Sequence, residues 1–297
     1  MEPLDERARL LAIGYRMLGS RAEAEDAVQE TYVRWYRLDA AEQAAIRNPA
    51  AWLTTAMTRV CLNVLDSARH RRETYVGEWL PEPLAVGSPL ARGAAAVAAD
   101  PAEHAALADE VTMALMVVLD SLTPAQRVAL VLHDVFGYPF AEIAEMVGRT
   151  PQAVRKLAST ARRHVEEERR RDATPVQQRQ VVESFMAACL TGDVAALVAR
   201  LDPAAVATSD GGGQVRAALR PVMGADRVAR FLVGAFSKSP DLGTRLEDAG
   251  GETRLVLHRD GGVAAVATFR VVEDQVSNIW LTLNPRKLGS WLEGDAG

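Results

Sequence analysis

Apolar residues recur at helical spacing over most of the first 170 positions and alternate at strand spacing only near the C-terminus. The pattern predicts a first all-helical block over residues 1–76, in which Ser20 and Glu23 form a capping box. A second all-helical block follows over 103–171, and Thr123-Pro124 opens one of its helices. The third block, 175–297, mixes helices with strands. The chain is therefore expected to be multidomain.

Residues 77–102 between the helical blocks are rich in proline, glycine and alanine and predict a linker. Within it, the run Trp79-Leu80-Pro81-Glu82-Pro83-Leu84 is too apolar for a fully solvated tether. We expect this run to be an extended segment docked by an apolar anchor. The alternative is a partly exposed linker with an incidental tryptophan.

The third block predicts two amphipathic helices, Val181 to Leu190 and Val194 to Leu201, ahead of a sheet. Strands are expected over Thr253 to His258 and Gly262 to Val272, joined by a hairpin turn, with a third over Val276 to Leu283. Two helices followed by a curled antiparallel sheet indicate an α+β cone.

A helix-turn-helix is predicted near the end of the second block. Phe140 to Val147 forms its first helix, Gly148 ends that helix, and Thr150-Pro151 caps and starts the second. The second helix carries a polar outer face suited to a DNA major groove, composed of Gln152, Arg155, Lys156, Ser159, Arg162 and Arg163. The alternative is an ordinary pair of helices with a solvated basic face.

The composition narrows the class of protein. The net charge of −5 is unusual for a protein that holds DNA alone, so a larger partner is expected to supply part of the affinity. The N-terminus lacks a signal-peptide pattern and no apolar run is long enough to span a membrane, which predicts a cytoplasmic protein without membrane contact. Cys61 and Cys189 are expected to be buried free thiols, and neither a metal nor a cofactor is expected.

The order of blocks and several motifs resemble bacterial extracytoplasmic-function (ECF) RNA polymerase sigma factors. The first block is similar to the family's σ2 domain through Ala24 to Thr31, Pro49 to Leu53 and Thr58 to Asn63, and the second is similar to σ4. The third resembles the SnoaL-like, polyketide-cyclase type of cone that is fused to one subgroup. Three motifs support that subgroup, namely the linker run from Trp79 to Leu84, Asp210-Gly211-Gly212-Gly213, and Asn284-Pro285-Arg286-Lys287-Leu288.

The resemblance implies a promoter-specificity subunit that binds the clamp and flap surfaces of core RNA polymerase and directs transcription initiation on promoter DNA. It implies that σ4 reads the −35 element through the outer face given above, and that the three motifs serve interdomain regulation by the cone. It assigns the −10 element to Arg59, Asn63, Arg69, Arg71 and Arg72, and polymerase contact to Glu25, Asp26, Gln29 and Glu30. A solvated acidic face is the alternative for the last group, and a core position is the alternative to a base-stacking role for Trp52.

Two departures from the family pattern weaken parts of this assignment. Thr160 stands where relatives often carry arginine, and Arg286 stands where the subgroup usually shows aspartate. A small-molecule ligand of the cone is left open as a further partner.

Two other classes of protein were weighed. Asp210, His258 and Asp260 could serve an enzyme, although both aspartates sit in turns where solvated aspartates are normal. A simple repressor would leave the first 76 residues unexplained. Neither is the expected function, and the chain is predicted not to be an enzyme.

Overall fold

The computed structural model describes residues 3–92, 111–239 and 241–292, without the side chains of residues 3, 4, 68–73, 91, 92 and 292. These residues divide into two compact units. The first comprises 1–73, 88–111 and 115–168, and the second comprises 74–87, 112–114 and 169–297. Both predicted helical blocks thus contribute to one unit, whereas residues 74–87 belong with the C-terminal part of the chain.

The first unit is helical. A 3₁₀ turn, Pro3–Glu6, precedes its helices, which are α1 (Arg7–Leu18), α2 (Arg21–Tyr36), α3 (Ala40–Ala45), α4 (Pro49–Glu73), α5 (Pro89–Arg92), α6 (Met113–Ser121), α7 (Pro124–Leu130), a π-helix (Val131–Val135), α8 (Phe140–Val147) and α9 (Pro151–Arg169).

The predicted capping signals are present where these helices begin. The Ser20 hydroxyl accepts a hydrogen bond from the Glu23 N–H at the start of α2, and Thr123 forms a full capping box with Gln126. Each cap satisfies an amide that the helix itself leaves unpaired, which fixes where the helix starts. Within the N-terminal bundle, Leu10, Ile13 and Met17 of α1 are fully buried.

Helix α4 packs against α7 and α8, so the two predicted helical blocks share one interface inside the first unit. Buried polar contacts also join the two helical blocks. The buried guanidinium of Arg127 donates from Nη1 to the Met17 carbonyl at 2.7 Å and from Nη2 to Asp120 at 2.9 Å. The Tyr138 hydroxyl lies 2.9 Å from Thr54 Oγ1 and also receives a hydrogen bond from Arg9. Buried polar contacts of this kind specify one arrangement more than they add net stability.

The second unit is an α+β fold, as predicted. Its elements are α10 (Pro175–Thr191), α11 (Val194–Arg200), β1 (Leu201–Asp210), β2 (Val222–Met223), α12 (Ala225–Ser237), β3 (Gly243–Ala249), β4 (Glu252–Arg259), β5 (Gly262–Val272), β6 (Gln275–Thr282), a 3₁₀ turn (Pro285–Lys287) and α13 (Gly289–Leu292).

The sheet has the strand order β2-β1-β6-β5-β4-β3, and only the β1–β6 pair is parallel. The predicted β4–β5 hairpin is confirmed, with Arg259 opposite Gly262 at its tip. Helices α10 to α12 cover one face, where Phe185 and Phe269 meet edge-to-face at 5.6 Å between ring centroids. On the opposite face, Val256 and Val266 pack against Leu288 and Trp291.

Candidate nucleic-acid interface and the docked linker

Helix α9 has two distinct faces. Val154, Ala158, Ala161 and Val165 are buried, and they recur at the spacing of one helix face. The six residues predicted to contact DNA lie on the exposed side, namely Gln152, Arg155, Lys156, Ser159, Arg162 and Arg163. The helix begins as predicted, with the Ala153 N–H donating to Thr150 Oγ1 at 3.2 Å after the left-handed Gly148. The geometry is that of a helix-turn-helix whose second helix presents a cationic face.

Two of these arginines also hold the helix-turn-helix together. Arg162 makes a two-pronged ion pair with buried Asp134, through distances of 2.8 Å from Nε and 2.6 Å from Nη2. The Arg155 guanidinium lies 5.3 Å from the centre of the Phe140 ring, within the range of a cation–π contact. Arg162 therefore orients α9 on the π-helix and is only partly available to a phosphate.

The predicted −10 residues lie on α4. Arg59 and Asn63 are exposed, one helical turn apart. The side chains of Arg69, Arg71 and Arg72 lie outside the described residues. Arg59 Nε donates to the Met146 carbonyl at 3.3 Å, in the last turn of α8. The first helix of the helix-turn-helix therefore lies against the part of α4 that is predicted to read an unpaired base.

Trp52 is half-buried on α4. Its ring meets buried Trp35 edge-to-face, with 5.2 Å between centroids. This arrangement favours the core interpretation of Trp52 over a free stacking platform.

The acidic face of α2 is partly neutralised from within the helix. Glu25 pairs with Arg21 at 3.0 Å and Glu30 pairs with Arg34 at 2.9 Å, each over one helical turn. Asp26 and Gln29 between them are exposed. Exposed pairs of this kind contribute only about 0.3–0.5 kcal/mol each, so they could exchange for a partner's charges at low cost.

In the second unit, the run from Trp79 to Leu84 docks on the C-terminal fold as an extended segment. Leu80 and Leu84 are buried. The Trp291 indole N–H donates to the Pro83 carbonyl at 2.9 Å, and buried Arg254 donates to the Leu84 carbonyl. Glu82 is also buried, at 4% exposure. Backbone carbonyls thus anchor the run together with its leucines.

Asp210 lies at the centre of this docking site and is fully buried. Its carboxylate accepts hydrogen bonds from the Tyr75 hydroxyl at 2.6 Å, from the Leu80 N–H at 3.0 Å and from Lys287 Nζ at 2.7 Å. The interpretation of Asp210 as a solvated turn residue is therefore wrong, because the glycine loop lies under the linker. Burial and the hydrogen bond to Asp210 raise the pKa of Tyr75 above its ordinary value.

Lys287 completes the cluster from the third motif. Its ammonium lies 4.1 Å from the centre of the Trp79 ring and also donates to the Leu80 carbonyl. Neighbouring Arg286, the departure from the subgroup pattern, is exposed. The buried charge at this motif is thus carried by Lys287, whereas Arg286 donates its backbone N–H to Asn284 Oδ1 at 3.1 Å.

The glycine motif is needed for close approach to the third motif. Gly212 has φ +58°, and a Cβ there would overlap the side-chain amide of Asn284. Asn284 in turn donates from Nδ2 to the Tyr75 hydroxyl at 2.9 Å. The three motifs predicted from the sequence therefore meet at one place, which we call the linker lock and define as Tyr75, Trp79, Leu80, Asp210, Asn284 and Lys287.

The residues weighed for an enzyme do not come together. Strand register sets Asp210 level with Val256 of β4 across two intervening strands, a separation of about 14 Å. His258 lies two residues beyond Val256, and its Nε2 has no hydrogen-bond partner among the described residues. Asp260 is exposed in the hairpin turn, as expected.

Sequence reasoning missed Tyr75, Glu252, Arg254 and Trp291 as parts of this region. Glu252 pairs with Arg254 at 2.7 Å and accepts hydrogen bonds from the Met113 N–H at 3.1 and 3.2 Å. Burial raises the pKa of Glu252, while Arg254 opposes that rise. Glu252 and Arg254 stand two residues apart, directly before the apolar run Leu255 to Leu257, and this spacing was the available sequence signal for the pair.

The described helices contain no segment long and apolar enough to cross a membrane. Among the described residues, no group of three or more histidine, cysteine or acidic side chains has the arrangement of a metal site. Both cysteines are buried and free, as predicted.

Comparison with known proteins agrees with this geometry. Residues 5–72 match the family described as Sigma-70 region 2, and residues 112–165 match the family described as Sigma-70, region 4. The chain is 43% identical over 235 residues to the ECF RNA polymerase sigma factor SigJ of Mycobacterium tuberculosis, covering 78% of this chain and 71% of the relative. It is 32% identical to the probable ECF sigma factor SigI of the same organism, over 95% of this chain and 92% of that one.

The crystal structure of SigJ superposes with a TM-score of 0.69 at 34% identity, over 96% of each chain. The fold and the site thus define the class of protein, which is a transcription initiation factor with two sigma regions and a fused α+β domain. The chain belongs to the ECF RNA polymerase sigma factors, with a SnoaL-like C-terminal domain, and these factors direct promoter-specific transcription initiation.

Proposed function

We propose that this sigma factor reads the −35 element with the exposed face of α9 and the −10 element with α4, and that the conformation described above is a resting one. The observation that carries the second part is the hydrogen bond from Arg59 to the Met146 carbonyl. An arginine that must reach promoter DNA is held against the helix-turn-helix that must reach a different promoter element.

A length argument supports this. The family resemblance implies that the two elements lie roughly two turns apart, or about 68 Å along the duplex. Arg155 lies nine positions after Met146 in the sequence. Even fully extended, this stretch of chain spans at most about 32 Å. Even with both arginine side chains extended, Arg59 and Arg155 are less than about 45 Å apart. The two reading surfaces must separate before both elements can be bound at once.

The linker lock supplies a means of control. It fixes residues 74–87 on the C-terminal fold, and these residues form the first half of the tether between σ2 and σ4. Docking the tether shortens the free chain that is left to let the two domains separate. We therefore propose that the SnoaL-like domain modulates initiation by holding or releasing the linker.

Core RNA polymerase is the proposed principal partner, through its clamp and flap surfaces. Asp26, exposed on α2 beside the polar Gln29, is suited to a basic surface, because an acidic group would repel DNA. The chain's net charge of −5 is consistent with a factor that borrows most of its DNA affinity from polymerase. That partnership implies a cytoplasmic location.

We propose no catalytic role for the C-terminal domain. Its carboxylate candidate, Asp210, is occupied by four hydrogen-bond donors, and the sheet separates it from His258. An acid and a base that act together need to be within hydrogen-bond reach of one substrate.

Substitution of Arg155 and Lys156 by alanine tests the −35 assignment. We expect each variant to lower run-off transcription from a −35-dependent promoter with purified core polymerase, because each removes a charge from the exposed face of α9. A DNA contact of this kind is worth about 1–3 kcal/mol, or roughly 5- to 150-fold in affinity. Lys238→Ala, a cation exposed beyond the end of α12, is the matched control. Unchanged transcription in both variants would remove these residues from the interface.

A further inference from the structure

A cavity of about 340 Å³ lies beside the linker lock, at the end of β1. Its lining includes Ala218 and Leu219 of the loop that follows the glycine motif, together with Val76 and Gly77 of the linker. Its size falls in the range of small-molecule sites in proteins, about 300–1,000 Å³.

The lining has the chemistry of a site for an amphipathic anion. Most of it is aliphatic or glycine, and Arg216 is the one charged residue among the described lining residues. Ser209 also lines the cavity, and its buried hydroxyl has no hydrogen-bond partner among the described residues. That oxygen is itself enclosed by protein atoms, so Ser209 forms part of the wall and Arg216 provides the charge. No acidic residue is among the described lining residues to oppose a carboxylate.

We propose that this cavity binds a small apolar carboxylic acid, with its carboxylate toward Arg216 and its hydrocarbon part against Ala218, Leu219 and Val76. Nucleic acids and folded proteins are too large for a cavity of this volume. The proposal concerns a binding site, and it stands whether or not the chain reads promoters as described above.

The position of the cavity determines what such a ligand does. Val76 and Gly77 follow directly after Tyr75, whose hydroxyl donates to Asp210. Since these two residues form a wall only while the linker is docked, the complete site exists only in the docked state. A ligand that binds one of two states shifts the population toward that state. The acid therefore stabilises the docked linker, and under the proposed function it is an inhibitor of initiation.

Octanoate is the probe, titrated by calorimetry into the full chain, with butanoate, hexanoate and octan-1-ol for comparison. We expect affinity to rise roughly fourfold per added methylene, because each buried methylene contributes about 0.8 kcal/mol. Octan-1-ol should bind more weakly than octanoate. Arg216→Gln should weaken octanoate roughly fivefold, as expected for a partly exposed ion pair, whereas Arg220→Gln, exposed in the same loop and outside the cavity, should have no effect.

Two further variants test the position of the site. Ala218→Phe fills the cavity and should abolish binding. Leu219→Glu changes a side chain that is 64% exposed, so it should fold normally and repel the carboxylate. Octanoate that binds all variants equally, or that binds no better than octan-1-ol, would overturn the site. Absence of octanoate binding at millimolar concentration would overturn it as well.

Amide hydrogen exchange over residues 74–87 tests the coupling separately from transcription. At a ligand concentration ten times Kd, exchange that requires undocking should slow roughly tenfold. Binding without any change in exchange there would show that the linker is not coupled to the site. A failure of promoter recognition would alter neither measurement.

Discussion

At the scale of single residues, the buried pair of Asp210 and Lys287 is the most consequential feature of the C-terminal domain. Lys287 is 6% exposed and Asp210 is completely enclosed, so neither charge has water to replace its partner. Removing one member of a buried ion pair costs about 3–5 kcal/mol. Without Lys287, Asp210 would keep only neutral donors, namely the Tyr75 hydroxyl and the N–H groups of Leu80 and Gly212.

Lys287→Met should therefore lower the free energy of unfolding by about 3 kcal/mol or more. The combined change Asp210→Asn with Lys287→Met should recover part of that loss, since it leaves no charge buried alone. Chemical denaturation of the full chain, followed by a signal from the C-terminal domain, measures both. Arg286→Ala is the matched control, since an exposed side chain should change stability by no more than about 0.5 kcal/mol. An equal loss in Lys287→Met and Arg286→Ala would contradict the buried pair.

The two cysteines give a pH-dependent prediction. Burial raises the pKa of Cys61 and of Cys189 to about 12. An unfolded thiol loses its proton near pH 8.5, about three units lower. Above that pH the unfolded state binds fewer protons than the folded state, so these thiols make the free energy of unfolding fall as pH rises toward 12.

Both thiols should consequently resist Ellman's reagent in the folded chain at pH 8 and react fully in denaturant. The Cys61→Ala, Cys189→Ala double variant should show a weaker decline of stability between pH 9 and pH 11 than the parent. Rapid labelling of the folded protein would contradict the burial of that thiol.

At the scale of secondary-structure elements, α9 combines two roles in one helix. Arg162 was assigned to DNA from the sequence alone, yet it reaches Asp134, which is 5% exposed. Arg163 beside it is exposed on the same side of the helix. Variants of Arg162 and Arg163 can therefore distinguish a role in orienting the helix from a role in contacting DNA.

Arg162→Ala should lower stability by about 1–3 kcal/mol, because it removes a two-pronged ion pair from a buried carboxylate. Arg163→Ala should stay within about 0.5 kcal/mol of the parent. Thermal unfolding of both variants provides the comparison, and transcription from a −35-dependent promoter shows which also loses function. Equal stability of the two variants would mean that Asp134 does not hold the helix.

Some secondary-structure elements could be predicted from the sequence and others could not. Helix α9 was predictable because Thr150, Pro151 and the buried positions carry redundant local signals. Strand β1 was missed because its run from Ala204 to Ser209 consists mostly of small residues, which give a weak strand signal. These residues pack between the neighbouring strands β2 and β6. Helix α12 and the strands β2 and β3 were not predicted either.

Long-range contacts explain the error at Asp210. A glycine-rich turn normally exposes an aspartate, and nothing local shows that Tyr75 and Leu80, at least 130 positions away, donate to its carboxylate. The family resemblance placed the Asp210 to Gly213 motif in the candidate site. That Asp210 is buried and paired with Lys287 became known only from the structure. The −10, −35 and polymerase-contact assignments stay predictions.

At the scale of the whole chain, the same residues that tether σ2 to σ4 are also residues of the C-terminal unit. A tether shared in this way cannot be released without giving up the contacts of the linker lock. The strength of those contacts then sets how often the two reading surfaces can separate. Under the proposed function, the C-terminal domain is therefore a control of initiation that is part of the same chain.

Truncation after Arg171 removes that control. We expect the 1–171 chain to give a different output from the full chain in run-off transcription, and a higher one at promoters whose elements lie two turns apart, because its linker is free to extend. Binding of both chains to core polymerase must be measured in parallel, so that a loss of folding is not mistaken for a loss of activation. The full-length variant Trp291→Ala, which loses the hydrogen bond to the Pro83 carbonyl, should shift output in the same direction by a smaller amount. Identical transcription from full-length and truncated chains that bind polymerase equally would show that the C-terminal domain does not regulate initiation, and the linker lock would then be a structural contact only.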